Sequence, residues 1–230
     1  MDLHVIAGDP PVKVALRRSA RARRLSLRVS RIDGRVTLTL PQRTPLREAI
    51  AFAESRAEWL RGHVAQAGAE ERPMIGGTIP YLGRDLPLLS GPVRRAALTD
   101  GGLVLPPDPS RVMPRVAAFL RATARDRLAE ASDRYANALG LGYRSLTLRD
   151  VRSRWGSCSS RGDLMYSWRL IMAPPEVLDY VAAHEVAHLA RMDHSPAFWA
   201  IVARLFPDHA TCRRWLRDNG EKLHRLRVTD

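Results

Sequence analysis

The residues able to do chemistry gather in 181–199, V-A-A-H-E-V-A-H-L-A-R-M-D-H-S-P-A-F-W. His184 and His188 stand four apart. On a helix that spacing is one turn, about 40° round the axis, so both imidazoles leave one face. Two nitrogens so placed can ligate one metal ion. Glu185 projects beside them, where its carboxylate could reach a metal-bound water. His194 follows six residues after His188. That is too far for the same turn, but within reach if the helix stops and the chain folds back. The stop signals are present: Asp193 breaks the apolar pattern, Ser195 is a good N-cap, and Pro196 fits the first position of a new helix. Three neutral imidazoles with an open water position describe a catalytic zinc site, whereas a fourth protein ligand would make it structural. Cys158 is the candidate for that fourth place, and Glu221 is a carboxylate alternative to His194. Asp193 could also orient a ligand imidazole by accepting its second N–H. Without such a reason, two imidazoles and a carboxylate in the apolar run V-L-D-Y-V-A-A-H-E-V-A-H-L-A are costly to bury.

Several elements must hold these groups. Pro174 and Pro175 open the helix that carries the motif, and Glu176 and Asp179 suit its positive N-terminal end. Before it, residues 145–155 read as a strand, G-S-C-S-S-R-G-D as a turn and residues 164–171 as the partner strand. Arg152 and Arg154 alternate on that first strand, where they could steady an oxyanion, a phosphate or a substrate carboxylate; pairing with Asp150 or Asp163 is the alternative. The longest helix falls over 110–139, on a stripe from Val112 to Leu139. Residues 195–206 and 208–226 supply two closing helices, on which His209 and His224 read as surface residues.

The N-terminal part is richer in strands. Residues 12–16, 24–30 and 35–40 alternate apolar and polar side chains, the last two joined at R-I-D-G-R as a hairpin. Residues 45–68 show helical spacing, with Trp59 in the core and Gly68 at the end. Residues 73–107 read as small antiparallel hairpins. The expected division is a β-rich region with one helix over 1–108 and a metal-bearing domain over 109–230.

With 230 residues the chain can build a proper core. Its formal net charge is +13 and its pI about 11.1, which favours polyanionic partners such as nucleic acid or nucleotides. Nearly all of that charge is arginine, the lysines being Lys13 and Lys222. Arg17, Arg18, Arg21, Arg23 and Arg24 form either a phosphate-binding patch or a solvated strand edge. Two cysteines cannot make a disulfide framework, and neither a signal peptide nor an apolar run of membrane-spanning length is visible. The expected compartment is the cytoplasm.

Four segments in order, R-S-R-W-G-S-C-S-S-R-G, W-R-L-I-M-A-P-P-E-V-L-D-Y-V-A-A-H-E-V-A-H-L, D-H-S-P-A-F-W and R-R-W-L-R-D-N-G, closely resemble the YgjP-like (WLM/SprT-related) family of zinc metallopeptidases. The resemblance is strongest over 145–220 and looser in the N-terminal S-x-R-A-R-R-L-S-L-R-V. It implies an α+β fold with a zincin-like core, an active-site helix on a small antiparallel sheet. It implies one Zn2+ held by His184, His188 and His194, with Glu185 as general base. The ligand spacing equals that of metzincins, but Arg191 stands where their turn glycine would be and no methionine-turn signature follows.

The reaction expected is hydrolysis of a peptide bond in a protein or peptide substrate by metal-activated water. The substrate could add as a strand to residues 152–158 or 163–170. Two other classes compete. The same water could attack phosphorus in a nucleoside triphosphate, which the arginines would suit, although three histidines are not the oxygen-rich set that magnesium prefers. Or the chain is a nucleic-acid-binding module whose zinc only holds the fold.

Overall fold

Period-two alternation makes the first strands, Asp2–Ile6 (β1), Val12–Ser19 (β2), Ser26–Val29 (β3) and Val36–Pro41 (β4). In β4 the side chains of Val36, Leu38 and Leu40 are buried while those of Thr37 and Thr39 are half-exposed. The structure, a computed structural model, describes residues 2–30, 33–66 and 71–228. Among these the strands lie in the order β1–β2–β4–β3. β3 and β4 form the expected antiparallel hairpin, and β2 joins β4 in parallel. Arg31 and Ile32 of the hairpin turn lie outside the described residues, as does Gly68.

The one helix expected over 45–68 is two, Leu46–Glu54 (α1) and Ala57–Gln66 (α2). Between them the Ser55 hydroxyl donates to the Phe52 carbonyl at 2.8 Å, a local bond that competes with the helical ladder. Ala49, Ala53 and Leu60 close a small core with Ile6, Val14 and Leu38. Trp59 is not in it: the indole is 43% exposed and lies against His63. Arg18 closes the turn after β4 by donating to the carbonyls of Pro41, Gln42 and Thr44. Arg17, Arg21, Arg23 and Arg24 are exposed.

The chain divides into two compact units, Met1–Glu70 and Glu71–Asp230. That is earlier than the boundary near 108 expected from strand content. The reason is where the next strands bury their side chains. Thr78–Tyr81 (β5), Arg84–Ser90 (β6), Ala97–Thr99 (β7) and Gly102–Leu105 (β8) form a sheet in the order β5–β6–β8–β7. Its two antiparallel hairpins are joined through a parallel β6–β8 pair. Ile79, Leu88, Leu103 and Leu105 are fully buried in the same core as the long helix Val112–Leu139 (α3). Val116, Leu120, Ala124, Leu128 and Ala131 supply that helix's buried stripe.

Ser145–Arg149 (β9) is shorter than expected. The strand stops because Asp150 turns away to hold Arg169 with both oxygens, at 2.7 and 2.9 Å. Gly156–Cys158 (β10) and Asp163–Ser167 (β11) pair antiparallel, and β9 joins the other edge of β11 in parallel. The small sheet is therefore mixed. Pro175–Ala187 (α4), buried on nearly every face, packs on β10 and α3. Its entry is fixed by the β5–β6 turn. The Leu82 and Gly83 amides donate to the carbonyls of Ile171 and Met172 at 2.8 and 3.2 Å. A Cβ on Gly83 would come within 2.9 Å of the Pro174 Cα, so this approach needs glycine. Pro196–Leu205 (α5) and His209–Asn219 (α6) complete the fold. No helix among the described residues is long and apolar enough to cross a membrane.

Candidate metal centre

His184 lies in the last turn of α4, and His188 follows as its C-cap, still in right-handed helical conformation. The chain then reverses. Asp193 accepts from the Ser195 amide at 3.3 Å and its hydroxyl at 2.7 Å, while the Ser195 hydroxyl accepts from the Phe198 amide at 3.4 Å. This doubly capped start of α5, with Pro196 in its first turn, carries His194 back over α4. Nitrogens of His184, His188 and His194 come within 4.8 Å of one another. His184 Nε2 and His194 Nε2 are 3.2 Å apart. Phe198, fully buried, stacks on His188 with centroids 4.4 Å apart and meets the other two rings edge-on.

The donor set fits a divalent metal. His188 Nδ1 lies 3.0 Å from the Arg191 carbonyl. A carbonyl only accepts, so Nδ1 carries the proton and Nε2 keeps its lone pair. Burial pushes the His184 pKa down to about 4, helped by His188, His194 and Arg213. Burial likewise lowers that of His188. Both rings are thus neutral near pH 7, the state a metal ligand needs. Asp193 Oδ1 accepts from Ser195, and it is the Arg191 carbonyl that orients the His188 ring.

Glu185 is 6% exposed and lies against β10. A Cβ on Gly156 would fall 2.5 Å from both Cγ and Oε1 of Glu185. The glycine is the seat of the carboxylate. Burial raises the Glu185 pKa to about 8, and the Arg154 guanidinium works against that rise. A bound cation acts in the same direction as Arg154.

A cleft of about 410 Å³ opens beside this group. His184 and Glu185 lie at it, with Arg154 and Gly156 on one side and Arg213 and Arg217 of α6 on the other. Arg152 does not line it, and the bend at 152–153 replaces the strand on which the two arginines would have alternated. Asp150 and Asp163, their alternative partners, are held by Arg169 and Arg144. Arg144 and the hydroxyls of Ser145 and Ser159 hold the Asp163 carboxyl well below its ordinary range. Cys158 and Glu221 stand outside the histidine group. Burial pushes the Cys158 thiol up to about 11, the opposite of what a metal thiolate requires. His209 stacks on Trp199, while His224, expected at the surface, is buried against Trp155.

Phe198, Trp199, Arg213 and Arg217 belong to the site though their spacing alone did not single them out. The signal was present: Phe198 falls three residues after a helix cap, and Arg213, Leu216 and Arg217 share one face of α6.

Comparison with known proteins yields one family match and a weak structural similarity. The crystal structure of the metallopeptidase zymogen of Pyrococcus abyssi abylysin is similar at a TM-score of 0.36 and 20% identity, over 40% of this chain and 93% of that one. No protein with a curated description matches. A family model described as YgjP-like, metallopeptidase domain, matches residues 23–219, well over half of the chain and every residue of the histidine group. On that match the chain belongs to the YgjP-like metallopeptidase family and is a metal-dependent hydrolase.

Proposed function

We propose that this protein is a zinc-dependent peptidase in which His184, His188 and His194 hold one ion and Glu185 is the general base. The observation behind the reading is the convergence of three imidazoles beside a buried carboxylate at one cleft. Imidazole nitrogens suit zinc better than the hard cations that prefer oxygen. When bound, the ion supplies Lewis acidity at the scissile carbonyl and acidifies water. The protein's own groups do the remaining work. Glu185, backed by Gly156, takes a proton from the attacking water and returns it to the amine as the carbon–nitrogen bond breaks. Arg154 offers its charge to the developing oxyanion. β10 is an edge strand among the described residues. An extended peptide adding to it would pass the cleft. Both cysteines are free thiols, which suits the cytoplasm.

The test is proteolysis of an unfolded protein by the zinc-loaded enzyme, beside a Glu185→Gln variant. The variant keeps its zinc and loses roughly 10²–10⁴-fold in rate, the usual worth of a general base. Equal rates in the two proteins would remove Glu185 from the mechanism. Hydrolysis of nucleoside triphosphates is the second reading, drawn from the three arginines at the cleft. A panel of triphosphates run in parallel, with hydrolysis lost in the same variant, would favour it. A nucleic-acid-binding module with a structural zinc would instead keep its salt-dependent DNA affinity in that variant.

A further inference from the structure

The cleft beside the histidines carries a charge pattern that hydrolysis alone does not require. Among the described residues its lining holds three arginines, Arg154, Arg213 and Arg217, and one carboxylate, Glu185 itself. Two of the arginines come from α6, on the face completed by Leu216. Arg213 has no carboxylate partner among the described residues. Its guanidinium lies 5.0 Å over the Trp199 ring, and that ring stands 5.6 Å from His184. The cation is thereby held next to the ligand group, close enough to lower the His184 pKa. Arg217 lies further out and donates to its exposed neighbour Asp218 at 3.1 Å. The same lining includes the largely apolar side chains of Trp155, Tyr180, Val181 and Leu216.

A cleft that joins apolar surface to Arg213, which has no carboxylate partner among the described residues, and to Arg217, which shares its charge with its exposed neighbour Asp218, suits one kind of peptide side chain. A lysine or arginine would meet like charge in a partly desolvated space. A neutral side chain would leave Arg213 without a carboxylate acceptor. A carboxylate would accept from the planar forks of Arg213 and Arg217. Resting on the peptidase reading, we infer that the α6 wall selects peptides carrying a carboxylate beside the scissile bond, with Arg213 the main determinant and Arg217 the outer one. That carboxylate can come from an aspartate or glutamate side chain or from a free C-terminus. The peptide is favoured over a polyphosphate because Trp155, Val181 and Leu216 give the cleft apolar surface that a peptide's side chains bury and a triphosphate does not.

Binding tests this apart from turnover. The probe protein is the full chain, zinc-loaded, in the Glu185→Gln form. The ligands are three fluorescent octapeptides of one sequence. The first has a central glutamate and an amidated C-terminus, the second a central glutamine and an amidated C-terminus, and the third the glutamine with a free C-terminus. The first or the third binds about tenfold tighter than the second, as one or two partly exposed ion pairs allow, and which of them does so names the source of the carboxylate. The preference fades as salt rises. It is lost in Arg213→Gln, weakened in Arg217→Gln and kept only in part in Arg213→Lys, which retains the charge without the fork. Equal binding of all three peptides overturns the inference, as does a preference unchanged in both glutamine variants. Tighter arginine-dependent binding of a nucleoside triphosphate than of any peptide overturns it in favour of the nucleotide. Failure of the peptidase reading looks different: the native enzyme then cleaves no peptide, whatever the binding ratio.

Discussion

Gly156 and Glu185 meet so closely that any side chain at 156 must shift the carboxylate. The ideal Cβ position on Gly156 lies 2.5 Å from both the Oε1 and the Cγ of the glutamate, so a side chain there forces the glutamate to move. Gly156→Ala therefore displaces the carboxylate toward the cleft. The expected outcome is a loss of about 10²-fold in kcat with zinc still bound, since a misplacement near 1 Å is enough to cost that much. Metal content measured beside kcat checks it, and an unchanged kcat would show that Glu185 does not need this seat. His224 gives a prediction of another kind. Burial pushes its pKa down to about 4, with Arg169 adding to the fall and Asp150 opposing it. The unfolded chain takes up that proton near 6.5, the ordinary value for the side chain. Between those values the unfolded state binds more protons, so stability is full above about pH 6.5 and falls as the pH drops toward 4. His224→Phe keeps the stacking on Trp155 and removes this residue's share of that limb, while His184, whose pKa burial also lowers to about 4, keeps its own. Denaturant melts of chelated protein across the window would show it. The two cases mark what was legible. The histidines could be read because ligand spacing is local in sequence. The seat at Gly156 and the burial of His224 depend on contacts between residues far apart in the chain, which no spacing announces.

At the scale of elements, the third histidine depends on a cap. Ser195 holds the first turn of α5 through the Phe198 amide and is itself held by Asp193, so His194 is clamped between a turn and a helix. Ser195→Ala removes the side-chain acceptor and should cost about 1 kcal/mol of stability. On the proposed reading His194 is a zinc ligand, so metal affinity should also fall, by about tenfold, in the range found when the support of a ligand is removed. Thermal melts with and without zinc separate the two effects. A variant that loses stability while its zinc affinity stays unchanged would show that His194 is positioned otherwise. The Ser-Pro start of α5 was readable because capping is chemistry between near neighbours. Strand partners were less so. Residues 145–155 alternate well enough to read as one strand, yet Asp150 leaves the ladder for Arg169, and β9 meets β11 in parallel. Likewise Ser55 breaks a helix whose apolar spacing runs on without interruption.

At the scale of the whole molecule, every residue of the site lies within Glu71–Asp230, and so does the core that supports it. Strand content alone put the boundary near 108, because sequence shows that β5 to β8 are strands without showing that Ile79, Leu88, Leu103 and Leu105 bury themselves against α3. A chain starting at Glu71 should therefore fold, bind zinc and retain the histidine geometry. The first residue kept matters. The Glu71 amide donates to the Arg225 carbonyl at 3.0 Å, and its own carbonyl accepts from the Arg227 amide at 2.8 Å, forming a bridge to the C-terminal segment. That segment also supplies the Leu223 and Leu226 carbonyls to buried Arg169. Starting at Gly76 instead removes the bridge and loosens the acceptors of a buried guanidinium, which is expensive when left unpaired. The shorter chain should be less stable than the chain from Glu71, by about 1–3 kcal/mol for the two hydrogen bonds of the bridge and by more for Ile75, which packs on the core, and for the Met74 carbonyl that accepts from the Gly77 amide. Equal melting of the two would show that Glu71 contributes nothing to the tie. Failure of the chain from Glu71 to fold at all would make the N-terminal unit part of the domain rather than an addition to it.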